Sequence, residues 1–174
     1  MKLSHWIMIS GTGRNCGKTT LACRLLEHFR PLRPAGVKIS PHFHPLDGDE
    51  EVLERGDGFL IIRERKISTK DSSRMLQAGA GPSLFVQVRE EARERMLEAL
   101  LRQLDPGQAV ICESGGMREL VSPGLFILMK HEKDTPLPDA GSTLQPGVEL
   151  TFQDIEGFIT GERLHYDEKG WTLR

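Results

Sequence analysis

The run Ile7-Met8-Ile9-Ser10-Gly11-Thr12-Gly13-Arg14-Asn15-Cys16-Gly17-Lys18-Thr19-Thr20 constrains this chain more than any other stretch. It leads from a short apolar strand through a glycine-rich turn into a helix that opens at Gly17. A phosphate-binding loop needs its parts in that order. The buried strand aims the turn, the glycines let successive backbone N–H groups converge on a phosphate, and the helix adds its positive end. In such a loop Lys18 reaches the β- and γ-phosphates as a point charge. The Thr19 hydroxyl is a ligand of Mg²⁺, and Thr20 supports the loop or the α-phosphate. Gly11, Thr12, Gly13, Arg14, Asn15, Cys16, Gly17, Lys18, Thr19 and Thr20 are therefore the expected nucleotide-binding set.

Bulk properties fit a nucleotide-binding domain and argue against other classes. A chain of 174 residues, 38% of them hydrophobic, supports one domain with a proper core and is short for two. A net charge of −2 and a pI near 6.3 leave no diffuse basic surface, which argues against nucleic acid as a partner. The longest apolar runs, such as Leu125 to Met129, are too short to span a bilayer, so no membrane association is expected. The N-terminal apolar stretch is too short for a signal peptide, and the expected location is cytoplasmic. Cys16, Cys23 and Cys112 have neither metal-like nor redox-like spacing and read as reduced thiols. Cys16 stands beside a helix N-terminus, a position that favours thiolate and oxidation.

Along the chain, Leu21, Ala22, Leu25, Leu26 and Phe29 share one helical face, and Pro31 with Pro34 ends that helix. Ala35 to Ile39 is a short buried strand with Lys38 near its carboxyl end, where ligands of open parallel sheets lie. Lys38 is then either a second positive group near the γ-phosphate or a solvated lysine. The loop from Pro41 to Glu51 has no periodicity. It reads best as a switch segment that lends Asp47 or Asp49 to Mg²⁺, directly or through water. A transition-metal site from His42, His44, Asp47 and Asp49 and a plain polar loop are the alternatives.

Phe59 to Ile62 and Ser83 to Val88 read as strands, the first with no clear place in the sheet. Between them Ser68 and Asp71 have capping-box spacing, and Gly79 closes the short helix that follows. Glu90 to Leu104 is an amphipathic helix with Glu91–Arg95 and Glu98–Arg102 as i,i+4 pairs. Ala109 to Cys112 is a buried strand that ends in Glu113-Ser114-Gly115-Gly116. An acid at the end of a strand beside the phosphate loop is where Mg²⁺ is held through water, and glycines after it admit a phosphate to the backbone. Lys18, Lys38 and Glu113 are the candidate catalytic groups, and Thr19, Asp47, Asp49 and Glu113 the candidate metal ligands.

Leu125 to Met129 delivers Lys130-His131-Glu132. A lysine and an acid are present there without the asparagine of guanine-reading loops, and Asp134 or Asp139 could take the acid's role. Beyond Thr135, prolines and glycines make an irregular linker. A short helix over 153–160 and a hairpin over 163–173, turning at Glu168-Lys169-Gly170, follow it.

The loop departs from the common pattern in having Gly11-Thr12, then four residues, then Gly17-Lys18-Thr19. In this it resembles the P-loop branch that contains dethiobiotin synthetase, cobyrinic acid amide synthases and the accessory protein B of molybdopterin-guanine-dinucleotide biosynthesis. Lys70-Asp71-Ser72-Ser73-Arg74-Met75-Leu76-Gln77-Ala78-Gly79-Ala80 is similar to the Lys-Asp-Ser, Arg-Leu, Ala-Gly-Ala segment of the accessory protein B family. With Val37-Lys38 and the histidine pair, the resemblance covers about the first two thirds of the chain in the same order. The Glu113 segment also resembles the Glu-Gly-Ala-Gly-Gly of dethiobiotin synthetase.

The resemblance implies a GTP-binding accessory protein that binds Mg²⁺ and GTP, hydrolyses it slowly and forms a homodimer. Such a protein assists a nucleotidyltransferase that attaches GMP to molybdopterin. The alternative is an ATP-dependent enzyme like dethiobiotin synthetase, with Lys18 and Lys38 on the transferred phosphoryl group. The expected fold is a three-layer α/β domain with a mainly parallel sheet over 1–134, and a C-terminal extension, 135–174, packed on the same domain.

Overall fold

The computed structural model describes residues 1–46, 50–68, 70–132 and 147–174. The first eight strands are β1 (Lys2–Gly11), β2 (Ala35–Ser40), β3 (Glu51–Gly56), β4 (Phe59–Arg63), β5 (Ser83–Val88), β6 (Val110–Ser114), β7 (Ser122–Met129) and β8 (Val148–Leu150). They form one sheet in the order β3-β4-β5-β2-β6-β1-β7-β8. From β5 to β8 all pairs are parallel, and the hairpin β3–β4 adds antiparallel to β5. Helices α1 (Lys18–His28), α2 (Asp71–Gln77), α3 (Arg93–Arg102) and α4 (Ile155–Thr160) flank the sheet, and a separate hairpin pairs β9 (Leu164–Asp167) with β10 (Gly170–Leu173). The architecture is the expected three-layer α/β domain with a mainly parallel sheet. Among the described residues, no helix is long and apolar enough to cross a membrane.

Strand alternation divides the core between the two faces of the sheet. Trp6 and Met8 of β1 face one cluster, which Met96, Leu97 and Leu100 of α3 cover. Ile7 and Ile9 face the other, covered by Leu21, Leu25 and Leu26 of α1, Met75 of α2, and Ile155 and Ile159 of α4. A strand covered on both faces must be apolar at consecutive positions, which is why residues 6–9 are all buried.

Four local readings are corrected by the structure. β3 was not expected, because its residues alternate weakly and carry charge. Only a partner on one side, with a register shift between Val52 and Glu54, makes it an edge strand. Ser68 does not cap α2: Lys70 is the N-cap residue, and its backbone N–H donates to Ser68 Oγ at 3.2 Å. Thr69 lies outside the described residues. The amphipathic run opens as a 3₁₀ turn over Glu90–Ala92 before α3, and its arginines reach across to the edge hairpin. Arg95 donates to the Asp57 carbonyl at 3.2 Å and Arg102 to Glu54 at 2.7 Å, in place of the helical pairs with Glu91 and Glu98. β8 has no counterpart in the sequence reading, which places no element between Gly147 and Gln153, and its three residues form a strand by pairing with β7.

Gly79 ends α2 as expected. At φ 103° it accepts the left-handed turn, and the N–H groups of Gly79 and Ala80 bond the carbonyls of Leu76 and Met75. The expected C-terminal helix and hairpin are present as α4 and β9–β10. Trp171 of β10 is 3% exposed, donates its indole N–H to the His5 carbonyl at 2.8 Å and meets Phe29 edge-on at 4.8 Å. Replacing it with alanine removes that packing and leaves a cavity against β1 and α1. Trp171→Ala is expected to lower the unfolding free energy by about 3–5 kcal/mol, read by urea denaturation.

Candidate functional site

The carboxyl ends of β1, β6 and β2 meet at one edge of the sheet. Register decides which side chains converge there. Glu113 on β6 is level with Ile9 on β1 and with Lys38 on β2. The turn of residues 11–17 leaves β1 at the same level and is tied to β7 by the Thr12 N–H, which donates to the Met129 carbonyl at 3.0 Å.

The turn's glycines have local physical reasons. A Cβ on Gly11 would lie 2.4 Å from Cys16 Sγ and 3.0 Å from Lys18 Cδ, so a side chain has no room where those two fold back. This explains why position 11 is a glycine. Asn15 at φ 59° and Gly17 at φ 94° adopt left-handed conformations, and Gly17 is the N-cap of α1. Alternating conformations of this kind turn consecutive N–H groups inward and make an anion-binding concavity. His131 lies over the turn, with Nε2 3.3 Å from where a Gly13 Cβ would be. Lys18 folds back so that Nζ donates to the Gly13 carbonyl and lies 3.4 Å from Cys16 Sγ.

Glu113 is the buried acid of the site, 2% exposed. It accepts a 2.7 Å hydrogen bond from the Thr19 hydroxyl at one oxygen, while Lys38 Nζ donates to the other. Lys38 also lies 3.3 Å from Asp71 at the start of α2, and Asp71 is 3.6 Å from Arg74. Lys38 is thus neither solvated nor isolated. These groups line a cavity of about 440 Å³ together with Arg14, Asn15, Thr20 and Phe152. A second cavity of about 480 Å³ opens on the other side of Lys38 and Asp71, bounded by His44, Phe85 and Gln87. A larger hollow of about 760 Å³ near Arg33, Arg63 and Gln103 lies apart from this constellation, so chemistry rather than volume marks the site.

The structure therefore brings together Gly11, Thr12, Gly13, Arg14, Asn15, Cys16, Gly17, Lys18, Thr19, Thr20, Lys38 and Glu113. Asp47 and Asp49, the other expected metal ligands, and Asp134 and Asp139 lie outside the described residues. Among the described residues, no group of three His, Cys, Asp or Glu side chains is arranged to hold a metal ion by itself. The Thr19 hydroxyl and the Glu113 carboxylate are hard oxygen donors side by side, which suits Mg²⁺ completed by phosphate oxygens and water.

Three lining residues lie outside the expected site set: Asp71, Arg74 and Phe152. By local pattern Asp71 and Arg74 read as capping and helix-surface residues, roles that give no reason to look for them beside Lys38. Phe152 stands in the tail, and nothing local signals that it reaches the cavity. Lys130 pairs with Glu149 of β8 at 2.9 Å, and Glu132 accepts from Gln153 at 2.7 Å.

The thiols are shielded. Cys16 is 2% exposed, and its S–H points at the Gly13 carbonyl at 3.3 Å, so the oxidation expected from its position lacks access. Burial pushes the Cys23 thiol up to about 11, and burial with the Glu113 charge alongside pushes Cys112 up further. Both shifts disfavour the thiolate at neutral pH. Native protein at pH 8 is expected to take up iodoacetamide slowly at all three cysteines and rapidly after unfolding, as counted by intact mass.

No family model, curated protein or solved structure matches the chain.

Removing one partner of a buried ion pair strands the other charge. Lys38→Met is expected to cost roughly 3 kcal/mol of stability. The double change Lys38→Met with Glu113→Gln is expected to restore most of it, as measured by a denaturant double-mutant cycle.

Proposed function

We propose that this chain binds a magnesium nucleoside triphosphate, preferentially GTP, hydrolyses it slowly and acts as an accessory protein in molybdopterin guanine dinucleotide biosynthesis. One observation carries the nucleotide reading. At the mouth of a glycine-rich strand-to-helix turn, the Thr19 hydroxyl, the Glu113 carboxylate and the Lys38 ammonium form a continuous chain of contacts. A hydroxyl, a carboxylate and two lysines beside a turn with left-handed residues at Asn15 and Gly17 match what a phosphate chain and its cation need.

In this reading, the N–H groups of residues 13–18 hold the β-phosphate. Lys18 leaves the Gly13 carbonyl to span the β- and γ-phosphates. Thr19 and Glu113 are the residues that would hold Mg²⁺, whose charge offsets that of the phosphates. With Glu113 so engaged, Lys38 turns from it to a γ-phosphate oxygen, where charge builds as the terminal P–O bond breaks. Water adds to the γ-phosphorus, the bond electrons pass to the β-phosphate oxygen of GDP, and the water proton is lost to solvent. Turnover is slow because Glu113 would be taken up in holding Mg²⁺ with Thr19 and does not serve as a base for that water.

The preference for GTP rests on Glu132, a carboxylate steadied by Gln153 at the end of β7, which suits the paired N1 and N2 hydrogens of guanine. The accessory role, the homodimer and the nucleotidyltransferase partner rest on the resemblance of residues 11–19 and 70–80 to the accessory protein B family. A second reading is favoured by the 480 Å³ cavity that shares Lys38 and Asp71 with the phosphate cavity. That cavity would suit the acceptor of an ATP-dependent kinase or ligase similar to dethiobiotin synthetase.

Calorimetric titration with GTP and ATP in Mg²⁺ separates the two readings. The accessory-protein reading expects GTP to bind more tightly than ATP, and Lys18→Ala to weaken it roughly 10- to 100-fold, the worth of one or two charge-assisted hydrogen bonds. Tighter binding of ATP would move the kinase reading ahead, and binding of neither would overturn both.

A further inference from the structure

Phe152 is 58% exposed, although Leu150 and Ile155 on either side of it are buried at 8% and 2%. The segment is not loosely held. Thr151 and Asp154 close a capping box: the Thr151 N–H and hydroxyl both donate to the Asp154 carboxylate at 2.7 Å, which holds that carboxyl below its usual range. β8 fixes the approach to the box by pairing with β7. The chain therefore presents a large apolar ring to solvent on a capped turn, a placement for which core packing supplies no reason.

The ring's position supplies one. Phe152 lines the 440 Å³ cavity with Arg14, Asn15 and Thr20, and its Cδ2 lies 3.0 Å from where a Gly17 Cβ would be. In the sheet order, β6 and β2 lie on one side of β1, and β7 and β8 lie on the other. The carboxylate and lysine of the phosphate end, Glu113 and Lys38, come from the first side. Phe152 comes from the second, and so does Glu132, through its hydrogen bond to Gln153. A nucleotide with its γ-phosphate at Lys38 and its chain over the turn carries its sugar and base towards β7 and β8. An exposed aromatic face is what a base stacks on, and such stacking tolerates either purine.

We propose that Phe152 is the platform on which the purine base of the bound nucleotide stacks. The proposal rests on the nucleotide reading of the phosphate loop. It assigns to the C-terminal segment the part of the site that reads the base rather than the phosphates. Phe152 is a binding residue and takes no part in phosphoryl transfer.

The test compares a ligand that has a base with one that lacks it. Wild type, Phe152→Ala and Phe152→Trp are titrated calorimetrically in Mg²⁺ with a non-hydrolysable GTP analogue and with inorganic tripolyphosphate. The expected result is that Phe152→Ala binds the GTP analogue roughly 5- to 100-fold more weakly and tripolyphosphate as wild type does. Phe152→Trp keeps the affinity and shows quenched indole fluorescence with the GTP analogue alone. Unchanged GTP affinity in Phe152→Ala would overturn the platform. So would equal losses for both ligands, which would make Phe152 a support of the turn. If wild type binds tripolyphosphate and the GTP analogue equally, the platform fails while the phosphate loop stands. If wild type binds neither, the nucleotide reading falls and the platform with it.

Discussion

Glu113 is an acidic side chain on a central strand with almost no contact with water, and the arrangement around it follows from that. A bare carboxylate in such a place is expensive, and it persists only if its oxygens are met by donors. Thr19 from α1 meets one oxygen and Lys38 from β2 the other. Because the Lys38 contact depends on β2 pairing with β6 in one register, a one-residue slip would turn Lys38 to the opposite face and strand the acid. The pair thus couples the register of the sheet to the seating of α1, and the same groups that stabilise the acid are those that face the cavity.

The turn before α1 is specified more locally. Its crowding comes from Cys16 and Lys18 folding over Gly11, and its left-handed residues are Asn15 and Gly17. Lys18 is held by a carbonyl of the loop it belongs to. The ammonium is therefore kept near the cavity with no acidic partner among the described residues, a weaker hold than an ion pair and one that phosphate oxygens can displace.

Sheet order separates the groups along the edge. The acid and the second lysine arrive on β6 and β2, while the aromatic ring and the steadied Glu132 arrive after β8 and β7. β1 and its turn stand between them. Groups from both sides of the turn thus line one cavity.

Much of this was legible in the amino-acid order. The strand from Ile7, the turn and α1 depend on interactions within about twenty residues, and so do the Gly79 cap and the β9–β10 turn, where Gly170 adopts φ 113°. Glu113 was legible as an acid ending a buried run. Two of the misreadings share one cause. Glu91 and Glu98 each had a plausible neighbour in sequence, and a more distant group won: Arg95 and Arg102 turned to Asp57 and Glu54. β3 and β8 are too short and too polar to declare themselves, and exist because an adjacent strand leaves hydrogen-bonding groups to satisfy. The sequence by itself determined the three-layer α/β class, the glycine-rich turn and the identity of Lys18, Lys38 and Glu113. Tertiary structure alone decided that Lys38 and Asp71 meet, that Phe152 overlooks Gly17 and that the thiol of Cys16 is shut away. Periodicity and turn chemistry act through near neighbours, whereas register and burial are set by which distant segments pack together.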